Sequence, residues 1–103
     1  MMTEASVTAA PGGGLCLAGV LDHRTAGALR AEGWRLIDEQ PVGEVSVDCA
    51  GIQRSSSVGL SLLLAWVRHA QKRGSRLRIC GLPDEMREIA RVSGILELLP
   101  LEA

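Results

Sequence analysis

The chain contains no phenylalanine and no tyrosine. Trp34 and Trp66 supply its only large aromatic rings, so Leu, Ile, Val and Ala must fill any core. A basic excess is missing as well: 11 Lys and Arg stand against 12 Asp and Glu, for a net charge of −1. That balance lacks the electrostatic footprint of a nucleic-acid binder. The basic residues between Arg68 and Arg78 form one local cluster, which reads as a solvated helix end and strand edge or as a patch that meets acidic groups on a partner.

Long apolar runs are absent. The longest, Leu60 to Val67, is interrupted by Ser61 and stopped by Arg68, far short of the roughly 20 residues that span a bilayer. The opening Met1-Met2-Thr3-Glu4 has neither the basic nor the apolar region of a signal peptide. A cytoplasmic chain with no direct membrane insertion is expected. Cysteine is sparse. Cys16, Cys49 and Cys80 lie 33 and 31 positions apart, an odd and scattered set that argues against a disulfide framework and predicts three buried, reduced thiols.

Catalytic and cofactor motifs are missing too. Gly12-Gly13-Gly14 has no following Lys-Ser/Thr, so it is not a phosphate-binding loop. There is no G-x-S-x-G nucleophile elbow and no CxxC or HxxxH metal spacing. His23 and His69 are placed near helix ends, where nothing in the sequence sets either beside a serine or a carboxylate. Asp22 and Asp48 fall at strand ends and read as capping and loop-bonding groups. The sequence therefore predicts no catalytic residue, no metal and no cofactor.

What is present is a globular balance, 47% hydrophobic and 22% charged over 103 residues, enough for one core. Ser6 to Ala9 and Leu15 to Leu21 read as strands joined across the Pro11–Gly14 turn. A helix capped by Asp22 or Thr25 runs to about Glu39, with Ala26, Leu29, Gly33, Leu36 and Ile37 on one face. Val45 to Cys49 alternates like a strand and is expected to turn at Ala50-Gly51 into a serine-rich loop, Gln53 to Ser57. A strong helix follows from about Val58 to Arg73, closed by Gly74. Arg76 to Cys80 is the next strand. A last helix starts at Pro83-Asp84 and ends near Gly94, and Ile95 to Leu101 is an apolar stretch set to pack on the sheet. The order β-β-α-β-α-β-α predicts an α/β fold with a mixed, mostly parallel sheet under helical cover. It forms a single domain over 6–99, with tails at 1–5 and 100–103.

Function points to the stretch Arg54-Ser55-Ser56-Ser57-Val58, between a strand and a helix N-terminus where backbone N–H groups and the helix dipole converge. A serine there can be an N-cap or a phosphorylation site. The helix after it carries Leu60, Leu63, Leu64, Val67 and Ala70 on one stripe and Val58, Leu62 and Trp66 on a second. The second stripe packs against a neighbouring helix or forms an exposed docking surface anchored by Trp66.

These pieces resemble the STAS domain family of anti-sigma-factor antagonists and transporter accessory domains. The matching residues are Gly19-Val20-Leu21-Asp22, Val47-Asp48-Cys49-Ala50-Gly51-Ile52, Ser56-Ser57-Val58-Gly59-Leu60, Gly74 through Gly81-Leu82, and Gly94-Ile95. The family's motif has Asp, then a phosphorylatable Ser or Thr, a small residue, Gly and Leu. Here Ser56 stands at the Asp position, Ser57 at the phosphorylatable one and Val58 at the small one. Arg54, the Gly59–Leu64 run and Gln71-Lys72-Arg73-Gly74 are similar to the MlaB-like subgroup. That resemblance implies a non-catalytic STAS subunit of a Mla-type ABC transporter for phospholipid, serving outer-membrane lipid asymmetry. Such a subunit binds a MlaF-like ATPase within a complex that includes a membrane permease, and is peripheral to the inner membrane through that partner. Arg54, Ser55, Ser56, Ser57, Val58, Leu62 and Trp66 are the implied contact residues. The alternative the resemblance implies is an anti-sigma-factor antagonist regulated by phosphorylation of Ser57.

Overall fold

The computed structural model describes residues 5–102. Strands β1 (Ser6–Ala9), β2 (Leu15–Leu21), β3 (Glu44–Ser55) and β4 (Arg76–Cys80) form one sheet in the order β1-β2-β3-β4. The first pair is antiparallel and the other two are parallel. Helices α1 (Ala26–Glu39) and α2 (Ser57–Lys72) make the two parallel crossovers, and α3 (Asp84–Val92) follows β4. Both crossovers step the same way across the sheet. With the usual right-handed connection, both helices must lie on one face. Burial agrees: Leu15, Leu17, Leu21, Val45, Val47, Cys49, Leu77 and Ile79 are buried under the helices, while alternate residues such as Ser46, Asp48 and Arg78 are exposed. The sheet therefore has one covered face and one open face.

β3 is longer than its sequence pattern suggests. Instead of turning at Ala50-Gly51, it continues to Ser55 through two register shifts. Between Cys16↔Asp48 and Ala18↔Gly51, β3 carries one residue more than β2; between Gly19↔Ile52 and Val20↔Arg54 it does so again. Each extra residue is a bulge that resets the alternation, so Ile52 and Ser55 still face inward. Asp48 Oδ1 accepts the Ala50 N–H at 2.9 Å and holds the first bulge. A Cβ on Gly51 would lie 2.9 Å from the Ala18 Cβ, so the close approach of β2 needs glycine there.

The second stripe of α2 is resolved in favour of packing. Leu62 is 3% exposed and Trp66 0%. Trp66 lies against α1, where its Nε1 donates to the Arg30 carbonyl at 3.2 Å, and Gly33 provides the room: a Cβ there would sit 2.1 Å from the indole. Further along the same seam, Trp34 stacks on His69 with ring centroids 5.2 Å apart, and His69 Nε2 lies 2.7 Å from Asp38 Oδ1. His69 does therefore meet a carboxylate, contrary to the sequence expectation, in a clip that joins α1 to α2.

Arg73 completes that clip by donating to the Ile37 carbonyl at 2.6 Å and the Gln40 carbonyl at 3.2 Å. It thereby caps the C-terminus of α1 from the end of α2, where a cation also suits the helix dipole. Replacing Arg73 with Met should cost about 1–2 kcal/mol, because two charge-assisted bonds to backbone carbonyls are lost. Asp38→Asn should cost less than about 1 kcal/mol, as expected for an exposed ion pair. Urea unfolding of the two variants checks the order.

The three cysteines are not all buried. Cys49 is buried, and burial pushes its thiol up to about 12, so it stays neutral. Cys16 and Cys80 are only half-buried and flank Asp48 in register on the open face. Cys80 donates to Glu102 at 2.7 Å, and that carboxylate raises its pKa.

Residues 99–102 are not free either. Leu99 is buried, Ile79 N–H donates to the Pro100 carbonyl at 2.9 Å, and Glu102 N–H donates to the Ile79 carbonyl at 2.9 Å. Of the expected tail 100–103, residues 100–102 thus pair with β4 through an isolated parallel bridge, Ile79↔Leu101, after a short 3-10 turn, Leu96–Leu98, and Ala103 lies outside the described residues. In the expected N-terminal tail 1–5, residues 1–4 lie outside the described residues, and Ala5 packs against the core. No helix among the described residues is long and apolar enough to cross a membrane.

Candidate functional site: the serine loop and the α1–α2 groove

β3 delivers the chain straight into α2. Ser56 is the N-cap, with extended backbone at φ −82°, ψ −178°, and its Oγ accepts the Val58 N–H at 3.2 Å. Its own N–H donates to the Leu21 carbonyl at 3.3 Å, which sets the loop beside the end of β2. Ser55 is buried, and its hydroxyl donates to the Ser56 carbonyl at 2.7 Å. Three adjacent serines therefore take three roles: Ser55 pins the loop from below, Ser56 caps the helix, and Ser57 stands exposed on the first turn of α2. Because Ser56 supplies the cap, the Ser57 hydroxyl is not needed for it.

Gly59 lets the loop sit this low. A Cβ there would come 2.1 Å from Ser55 Oγ, 3.0 Å from Met86 Cε and 3.1 Å from Leu21 Cδ1. On the other side, Asp22 forms a tight turn: its Oδ1 accepts the Arg24 N–H at 2.9 Å, and its own N–H donates to Thr25 Oγ1 at 3.1 Å. The bond from the Arg24 backbone is the main cause holding the Asp22 carboxylate below its usual range. Thr25 occupies the N-cap position of α1, but its hydroxyl bonds back to the Asp22 carbonyl and not into the helix.

The sequence-predicted contact residues separate into two groups. Arg54, Ser56 and Ser57 are exposed and Val58 is half-buried at the loop. Ser55, Leu62 and Trp66 are core, so none of them can anchor a partner on the surface; the expectation that Trp66 would do so is corrected by its place under α1.

The sequence reading missed the surface that does open beside Ser57. A shallow groove of about 150 Å³ runs between the first halves of α1 and α2, lined by Ala26, Gly27, Arg30, Val58, Ser61 and Ala65, with Leu62 at its base. Small residues build it from both sides, and a Cβ on Gly27 would meet nothing within 4 Å. The signal was present as Ala26-Gly27 on one helix and Ser61 with Ala65, four apart, on the other. Among the described residues, no group of three or more His, Cys, Asp or Glu side chains could hold a metal ion.

Such an architecture defines a two-layer α/β domain that presents a capped helix N-terminus and a shallow groove beside it. The chain matches the family described as "Mlab, STAS domain" over residues 7–100 and belongs to the STAS domain family. Solved structures share the fold. One is the anti-sigma factor antagonist SpoIIAA in its unphosphorylated form, at TM-score 0.71 and 17% identity, covering 97% of this chain and 89% of the other. Another is an anti-sigma factor antagonist from Mycobacterium paratuberculosis, at TM-score 0.70 and 22% identity, covering 95% and 83%. A third is an anti-sigma-factor antagonist (STAS) domain protein from Planctomyces limnophilus, at TM-score 0.69 and 13% identity, covering 94% and 87%.

Proposed function

We propose that the chain is a non-catalytic STAS subunit that binds and supports the ATPase of a Mla-type ABC transporter moving phospholipid. Docking runs through Arg54, Ser56, Ser57 and Val58 and into the α1–α2 groove. One observation carries this reading: Ser57 stands exposed at the start of α2 beside an apolar groove, in a loop whose cap and floor are already supplied by Ser56 and Ser55. A loop so braced presents its outer atoms without rearranging, which lowers the cost of association. The match to the family description that names Mlab supports the same subgroup. Co-expression with a Mla-type ATPase of the same organism should yield a stable complex on purification; its absence would count strongly against the reading.

Ser57→Glu should weaken that complex roughly tenfold or more, since docking would have to desolvate a longer, charged side chain where a small hydroxyl now meets the partner. Isothermal calorimetry on the folded variant measures the loss, and an undiminished affinity would remove Ser57 from the interface.

A second reading, an anti-sigma-factor antagonist switched by phosphorylation, is favoured by the same exposed serine at a helix N-terminus, where a phosphate is electrostatically supported. Ser56 in place of the family's Asp weighs against it. Incubation with a cognate anti-sigma kinase and ATP, read by intact mass, separates the two: a phosphate on Ser57 supports the switch, and an unmodified chain removes it.

A further inference from the structure

We propose that the outer edge of β4, with the basic second half of α2, is a separate docking groove for an extended acidic segment of a partner protein. The groove has a volume of about 470 Å³ and lies between α2, β4 and the C-terminal segment; Val67, Leu77, Leu98 and Pro100 are among its lining residues. Val67 lies ten positions beyond Ser57 on α2, so this surface is about 15 Å along the helix from the serine loop and does not depend on the function proposed for that loop.

The backbone supplies the first argument. In a parallel ladder, alternate residues bond to opposite neighbours. Arg76 N–H donates to the Gly43 carbonyl, toward β3, whereas Ile79 uses both its groups on the other side, with Pro100 and Glu102. Leu77 has the parity of Ile79, so its N–H and C=O face the outer edge, where no described residue bonds them. The chain's own bridge to β4 at Leu101 stops short of Leu77 because residues 96–98 arrive as a 3-10 turn. An edge already paired at Ile79 and open at Leu77 is a template for an added strand.

Charge supplies the second. Arg68, Lys72 and Arg76 are exposed and form no ion pair among the described residues. Of the carboxylates nearby, Glu44 and Glu102 are engaged by Arg78, and Glu97, exposed beside Leu98, forms no ion pair among the described residues. The unpaired charge around the groove, Arg68, Lys72 and Arg76 against Glu97, is net positive, which favours an acidic strand. Leu98, 59% exposed at the rim while its neighbour Leu99 is buried, offers cover for an apolar side chain of that strand.

The test titrates the ¹⁵N-labelled full chain with a peptide alternating glutamate and valine, with the same peptide carrying lysine for glutamate, and with phosphatidylglycerol vesicles. The acidic peptide should shift amides centred on Arg76 to Ile79 and slow hydrogen exchange at Leu77, and the basic peptide should do neither. A Lys72→Glu/Arg76→Glu variant with an unchanged circular dichroism spectrum should bind the acidic peptide roughly tenfold more weakly. Unperturbed Leu77, equal affinity for the charge-reversed variant, or shifts confined to Ser56–Val58 would each overturn the proposal. Vesicle binding through these amides without peptide binding would overturn it in favour of an anionic lipid surface.

Discussion

Trp66→Ala should destabilise the fold by about 3–5 kcal/mol, the range for truncating a buried aromatic side chain. The indole is fully buried, touches α1 at Gly33, and uses its N–H on the Arg30 carbonyl. Removing it opens a cavity at the helix seam and leaves that carbonyl without this donor. Such a loss is a large share of the roughly 5–15 kcal/mol that holds a typical domain together. Guanidinium unfolding followed by far-UV circular dichroism measures it. If Trp66 were a docking anchor, the variant would lose binding and keep its midpoint; a midpoint shift equivalent to less than about 1 kcal/mol would therefore restore the docking assignment and discredit the packing described above. Trp66→Asp should be worse, since it buries a carboxylate in the same place.

The element order and the covered sheet face were legible because period and punctuation agree along most of the chain. Leu15, Leu17 and Leu21 alternate, α1 repeats Leu29, Gly33, Leu36 and Ile37 at helical spacing, and Gly74 closes α2. β3 was legible only in its first half. Its two bulges each insert a residue, so the pattern after Cys49 stops alternating and imitates a turn followed by a loop, although the chain stays extended to Ser55. The signal for a bulge lay in Asp48 and Gly51, a side chain that can bond the next backbone and a residue without Cβ, but either also suits a turn.

The candidate site was half legible. Composition and position single out Ser55 to Ser57, and the structure does place them at the start of a helix. What one chain cannot disclose is which apolar stripe of α2 is outermost. Val58, Leu62 and Trp66 fall on a face distinct from Leu60, Leu63 and Val67, yet α1 packs over most of it. Hydrophobicity reports that a face is covered and not by what. Glycine was the better clue. Gly33 in the middle of a helix costs about 1 kcal/mol against alanine, and the large side chain that it admits, Trp66, comes from the other helix.

The same logic makes Gly59→Ala the second large effect, with an expected cost of about 3 kcal/mol, at the upper end for overpacking a core. Helix propensity alone predicts the opposite sign, a gain of about 1 kcal/mol for alanine in a helix interior. Contact decides it. The added methyl would fall 2.1 Å from Ser55 Oγ, well inside any van der Waals distance, with Met86 Cε and Leu21 Cδ1 on the other sides. Met86 is flexible and can yield; Ser55 is buried, and its hydroxyl is bonded to the Ser56 carbonyl. The strain must then pass to the Ser55–Ser56 bond that braces the loop, so the helix cap and the exposed Ser57 should move with it. Removing the hydroxyl tests this directly. Ser55→Ala alone loses one hydrogen bond, about 1 kcal/mol, while Ser55→Ala with Gly59→Ala should recover at least about 1 kcal/mol of the glycine variant's loss, as coupled neighbours do. Strictly additive costs in urea unfolding would show that Gly59 is required for the backbone and not for the serine beneath it, and would detach the helix glycine from the geometry of the loop.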